Sequence, residues 1–144
     1  MTPNPADVVE RLARATSRHD IEGIVACFAE GYANQTPTHP QRSFTGRDQV
    51  RRNWEQILAG VPDITAQVLA TAVDGDTVWS EWQMSGTRLD GAAHELGGVI
   101  IFDVAGEHVQ AARFYLEPLE RESGTVDDAV RRTLSDPGAP GSTP

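Results

Sequence analysis

A single glutamate inside an alternating stretch is the side chain of this sequence best placed to move protons. Glu81 lies within Thr77 to Arg88, which follows the two-residue period of a strand. Turn chemistry predicts what it faces. Read as a two-residue turn, Asp90-Gly91 sets Leu89 opposite Ala92. Odd positions of 77–88 then share a face with even positions of 92–104. A two-residue turn at Asp74-Gly75, and a three-residue turn at Val104-Ala105-Gly106 pairing Asp103 with Glu107, add even positions of 64–73 and 109–116. The face so assembled holds Ile64, Ala66, Val68, Ala70, Trp79, Glu81, Gln83, Ser85, Thr87, His94, Leu96, Gly98, Ile100, Phe102, Ala112, Phe114 and Leu116. It is mostly apolar and is read as concave. Glu81 would sit between Val68 and Ile100, where desolvation favours the neutral acid and raises the pKa, as a general acid or base requires. The bland readings are a solvent-facing glutamate after a register slip, or one satisfied by Arg47 or Arg51.

Around Glu81, Gln83 would orient a substrate. Trp54, Trp79, Leu96, Ile100, Phe102, Phe114 and Leu116 would wall a pocket, or simply fill a core. The small residues Ala66, Ala70, Gly98 and Ala112 among them hint at unfilled space. Gly98, opposite Ala112 in this register, would let the sheet bend. His94, near the rim opposite Thr87, is a possible proton shuttle or a plain surface histidine. The four histidines show no metal-binding spacing, so neither metal nor cofactor is expected. Cys27 reads as a buried structural thiol, and the absence of lysine removes Schiff-base chemistry and a phosphate-loop lysine.

The elements that must position these groups come in a clear order. Asn4 caps and Pro5 opens a helix over 5–17, with Val8, Val9, Leu12, Ala13 and Thr16 on one stripe. Asp20 caps a second helix carrying Ile21, Ile24, Val25 and Phe28. Tyr32 to Thr36 reads as a short extended stretch before Pro37 and Pro40. Thr45 and Asp48 resemble a capping box for a third helix with Val50, Trp54, Ile57 and Leu58, stopped by Gly60 and Pro62. The period then changes, and 64–73, 77–88, 92–104 and 109–116 read as four long strands. The pattern is α+β, with helices covering one face of a curved antiparallel sheet. One domain over 1–119 would be followed by an extension, 120–144, holding a short helix at 126–134 and a disordered Pro/Gly tail. The outer face would carry Trp82, Met84, Val99 and Ile101, which predicts a homodimer through the sheet.

The chain has 144 residues, 39% of them hydrophobic and 23% charged, which suits one globular domain. Twelve basic against twenty-one acidic residues give a net charge of −9, arguing against nucleic-acid or anionic-membrane binding. With one cysteine, no signal core and no run approaching the ~20 apolar residues of a membrane span, a cytoplasmic location is expected.

Helix, helix, short strand, helix and four long strands ending in Phe114-Tyr115-Leu116-Glu117-Pro118 resemble the nuclear transport factor 2-like superfamily, within it the SnoaL-like polyketide cyclase branch. Gly46-Arg47-Asp48 and Ser85-Gly86-Thr87 add to the likeness, which covers roughly 6–119. The resemblance implies a cone-shaped α+β barrel, three N-terminal helices on the concave face of a mainly antiparallel sheet, a cavity for a hydrophobic metabolite, and dimerisation through the sheet. Tyr32 and Asn34 match the Tyr-x-Asn pair with which limonene-epoxide-hydrolase-like relatives hold a water. That branch's Asp-Arg-Asp set does not carry over: Glu81 and Gln83 stand about where its strand Arg and Asp would be, and Phe114 where its last Asp would be. Thr36 occupies the position of the ketosteroid-isomerase-like base, and Glu117 that of the late aspartate of SnoaL-like cyclases. Expected from all this is a cofactor-free acid/base isomerase, cyclase or hydrolase on a polyketide- or terpenoid-like substrate, using Glu81, Tyr32 and Asn34. The alternatives are a carrier with the same cavity, or an acidic partner-recognition module.

Overall fold

The computed structural model describes residues 4–121 and 124–135. Helix α1 spans Pro5–Ser17; Asn4 accepts from the Ala6 N–H at 3.0 Å, and Pro5 starts the first turn where a missing N–H costs nothing. Helix α2 spans Ile21–Ala26, capped by Asp20 through the Gly23 N–H at 3.0 Å. It ends earlier than its apolar stripe suggested: Phe28 already belongs to strand β1, Phe28–Gln35. A 3₁₀ turn, Pro40–Arg42, and the short strand β2, Phe44–Thr45, lead into α3, Arg47–Gly60. The expected capping box is not formed there. The residue preceding α3 is Gly46, at φ 98°, and no side chain caps the helix. Strands β3 (Thr65–Asp74), β4 (Thr77–Thr87), β5 (Ala93–Ala105) and β6 (His108–Pro118) follow, then α4, Val126–Ser135. Of the tail expected to be disordered, 136–144 lie outside the described residues.

The six strands form one curved, open sheet in the order β2-β1-β6-β5-β4-β3, antiparallel except where β1 runs parallel to β6. This is the α+β class the period change predicted, with α1–α3 filling the hollow of the sheet. Helix α1 is fastened to the edge strand β3, whose outer main-chain groups have no strand partner. Ser17 Oγ donates to the Ala66 carbonyl at 3.0 Å and accepts from its N–H at 2.9 Å, and His19 Nε2 lies 2.7 Å from the Ile64 carbonyl oxygen.

One turn overturns the expected register. The β4–β5 connection is a three-residue loop, Leu89-Asp90-Gly91: Arg88 and Ala92 are bonded across it at 2.9 Å, and Gly91 takes φ 87°. A third loop residue with positive φ is the other common way to close a hairpin, and it moves the pairing by one residue. Even positions of β4 therefore face even positions of β5: Trp82 pairs with Gly98 and Met84 with Leu96. Val78, Ser80, Trp82 and Met84 point into the core, and Trp79, Glu81 and Gln83 point to solvent. The other two turns are also displaced. Asp74 pairs with Thr77, and Ala105 with His108, but an irregularity in each ladder (between Val68 and Ala70, and between Asp103 and Val104) restores the expected face of β6 and that of β3 as far as Val68. Ala70, expected inside, pairs with Glu81 and is exposed. Gly98 pairs with Leu116, not Ala112. At φ 148°, it lies so close to β6 that a Cβ would sit 2.1 Å from the Tyr115 carbonyl oxygen. The sheet thus bends next to Trp82 where only glycine fits.

Candidate active site

The hollow between α1, α3 and the sheet keeps a cavity of about 380 Å³, within the range of small-molecule sites. Ile100 and Trp82 reach it from β5 and β4, Leu12 and Thr16 from α1, Val50, Asn53, Trp54 and Ile57 from α3. Leu96, His94, Phe114 and Leu116 continue the wall along β5 and β6, and Phe28, Tyr32 and Asn34 along β1. Thr36, Arg42 and Phe44 complete it around the β1–β2 connection.

Most of the wall is apolar, and its polar groups are organised. The Tyr32 hydroxyl, buried with its ring against Phe28 at 4.5 Å between centroids, donates to Asn34 Oδ1 at 2.7 Å. Burial pushes the Tyr32 phenol far above its ordinary range, so it remains a neutral hydrogen-bond group. Asn34 Nδ2 lies 3.5 Å from Thr36 Oγ1. Trp82 Nε1 donates to Ser80 Oγ at 2.8 Å, which donates to the Ile100 carbonyl at 2.6 Å. That chain satisfies the indole inside the core and fixes its ring at the cavity wall. Cys27 is buried, with Sγ 3.3 Å from the Gly23 carbonyl oxygen.

Of the side chains proposed from sequence, Tyr32, Asn34, Trp54, His94, Leu96, Ile100, Phe114 and Leu116 converge on this cavity. Phe102 does not reach it. It is fully buried behind the wall, 6.1 Å from Trp82 and 6.4 Å from Phe114 between ring centroids. Trp79, Glu81 and Gln83 lie on the opposite side of the sheet. Glu81 is exposed and pairs with Val99 and Ala70, not with Ile100 and Val68, so the desolvation that would equip it as an acid is absent. Arg47 and Arg51 pair instead with Glu30, at 3.2 Å, and Glu22. The Arg51 guanidinium holds the Glu22 carboxyl below its usual range. Glu117 is also outside the cavity, accepting from Thr38 Oγ1 at 3.3 Å and facing His39 Nε2 at 2.9 Å. No acidic side chain among the described residues lines the cavity. Among the described residues no three His, Cys, Asp or Glu side chains are gathered to hold a metal ion, and no helix is long and apolar enough to cross a membrane.

Trp82, Met84, Asn53 and Arg42 line the cavity but were not drawn from sequence. The first two had a signal: Val78, Trp82 and Met84 alternate with Glu81 and Gln83, so β4's own polarity marks its buried face. Asn53 had one as well, since it falls at helical spacing with Val50, Trp54 and Ile57; Arg42 had none, because a loop arginine carries no face information by type.

Comparison with known proteins agrees with this architecture. The model of the SnoaL-like domain matches residues 9–112. AclR of Streptomyces galilaeus, provisionally assigned as a hydroxylase, superposes with a TM-score of 0.72 at 15% identity, covering 87% of this chain and 92% of its own. IdmH of Streptomyces antibioticus, provisionally a polyketide cyclase, gives 0.69 at 19% identity, over 79% of this chain and 92% of its own. A protein of ketosteroid-isomerase-like fold from Catenulispora acidiphila, in complex with trimethylamine, gives 0.64 at 18% identity, over 80% and 87%. No curated protein sequence matches. The family match spans α1 to β6 and with it the elements that enclose the cavity: the chain belongs to the SnoaL-like domain family.

Proposed function

We propose that the protein binds a small hydrophobic metabolite, polyketide- or terpenoid-like in its ring or isoprenoid body, in the cavity beneath the bent sheet. The carrying observation is the cavity itself: about 380 Å³ of space, walled by Trp54, Trp82, Ile100 and Phe114, with few polar groups and, among the described residues, no acid. Relatives of the same fold provisionally assigned to polyketide cyclisation and hydroxylation support the ligand class. Calorimetric titration with anthraquinone tests the reading. Wild type should bind it, and Leu96→Trp, which fills the space, should weaken binding at least about tenfold; unchanged affinity in that variant rejects the site.

A second reading, proton transfer on the bound molecule, is favoured by His94. Its imidazole is a cavity-wall group able both to take and to give a proton, and the ring makes no hydrogen bond with any described residue. His94 would exchange the proton while the Tyr32–Asn34 pair orients a carbonyl. Deuterium wash-in at the α-carbon of 2-tetralone, followed by NMR, should slow roughly 10²-fold or more in His94→Asn. An equal rate removes the catalytic role and leaves a carrier.

The outer face of the sheet is proposed to pair with a second copy. Leu69, Trp79 and Tyr115 are 48%, 48% and 37% exposed there, beside Ile101 and Val99. Trp82 and Met84, expected on that face, are interior.

A further inference from the structure

Both amides on the cavity wall offer their N–H end. Asn34 Oδ1 is taken by the Tyr32 hydroxyl, which leaves its Nδ2 with only the 3.5 Å contact to Thr36. Asn53 Oδ1 accepts from Gln49 Nε2 at 2.7 Å, again leaving the amide N–H pair. The Thr16 hydroxyl is spent on the Leu12 carbonyl at 2.8 Å. Beside the acceptor oxygens of the Tyr32 and Thr16 hydroxyls stand these two amide N–H pairs, and Arg42 adds a full positive charge. Its guanidinium has no hydrogen bond or ion pair with any described residue, although Arg47, Arg51, Arg88, Arg121 and Arg131 each hold a carboxylate. Among the described residues, no acid on the cavity wall opposes it.

These groups also have a location. Thr36 and Arg42 follow the C-terminal end of β1, whose last residue, Gln35, pairs with Arg113 of β6 and so lies level with Ile101 of β5. Phe28, Tyr32, Trp82 and Ile100 are buried, whereas Arg42 is exposed. The cavity is therefore graded, apolar at depth and cationic where the β1–β2 connection meets its rim.

We infer that the ligand is a carboxylic acid: an apolar body against Trp82, Ile100 and Phe114, with its carboxylate held at the Arg42 end. This rests on the binding reading above and specifies its substrate class. Guanidinium suits the task because its fork of N–H groups can meet both carboxylate oxygens at once. A chain of net charge −9 repels anions at long range, so selectivity for one has to come from a local cation.

The test uses anthraquinone-2-carboxylate and its methyl ester, titrated against the full chain by calorimetry. Wild type should bind the acid at least about tenfold more tightly than the ester. In Arg42→Ala and Arg42→Gln the order should reverse, with the acid now the weaker ligand and ester affinity unchanged. Arg42→Lys should recover part of the preference. Arg42 lies exposed on a 3₁₀ turn outside the core, so these variants should melt with the wild type. Equal affinity for acid and ester, or a preference that survives Arg42→Ala, overturns the carboxylate inference while leaving the cavity reading intact. Failure of both compounds to bind overturns the two together.

Discussion

Burial holds the Tyr32 phenol protonated well beyond its ordinary value of 10.0, and that asymmetry couples folding to pH. In the unfolded chain the phenol ionises near 10, whereas in the folded chain it keeps its proton. Above that pH the folded state binds more protons than the unfolded one. The contribution of Tyr32 is therefore fully present below about pH 10 and is lost as pH rises further. Urea unfolding between pH 8 and pH 11 should show this alkaline fall, and Tyr32→Phe should flatten it. The same variant should cost about 1 kcal/mol at neutral pH, the loss of the bond to Asn34. Glu81 has the opposite character. It is exposed and unconnected to the cavity, so Glu81→Gln should change stability by no more than about 0.5 kcal/mol and leave anthraquinone binding unaltered. A helical stripe pointed to Trp54 and the family resemblance to the Tyr32–Asn34 pair, all three on the cavity wall, since both kinds of signal survive small errors of register. They could not locate Arg42, whose place on the rim is set by a loop.

Strand β4 shows how much rests on a single connection. Asp-Gly serves two-residue and three-residue hairpins alike, and the difference of one residue exchanges the two faces of a strand. The bounds of α1 and the extents of β3 to β6 were legible because caps, prolines and periodicity are local signals. The α2–β1 boundary was not, since Phe28 continues the apolar stripe of α2 into the strand. The face of β4 was legible too, in the alternation of Val78, Trp82 and Met84 with Glu81 and Gln83, and that signal outranks the turn when the two conflict. Burial is what decides: a strand whose apolar positions point outward forfeits its transfer free energy, whereas a turn of either length closes at similar cost. The same reasoning gives a strong expectation at the bend. Gly98→Ala would place a methyl group 2.1 Å from a backbone oxygen that cannot move without unpairing β5 and β6. Chemical denaturation should show a loss of at least about 3 kcal/mol, or no folded protein. Trp82→Ala, which empties the wall and removes the bond donated to Ser80 Oγ, should lose a comparable amount, about 3–5 kcal/mol.

For the whole molecule, the outer sheet face is the surface whose composition solvent alone does not account for. Trp79 sits near its middle, half exposed, opposite the buried Ile101. If two copies meet there, Trp79→Glu should convert a dimer to a monomer in sedimentation equilibrium without changing the circular dichroism of the chain. A monomeric wild type would reject the pairing. Layering and element order were legible from the change of period after α3. The place of β1 in the sheet was not. Its Phe28–Gln35 sequence does not alternate cleanly, and its neighbour in space, β6, is joined to it by no turn.

That parallel β1–β6 ladder also dictates a schedule. Residues 28–35 leave the ribosome early but have no long strand to lie against until 109–118 have been translated, and nearly every later strand intervenes. Until then α1 and α2 hold apolar stripes with no finished sheet beneath them. Vectorial assembly from the N-terminus is closed to this chain, and its commitment to the native state must come late and nearly all at once.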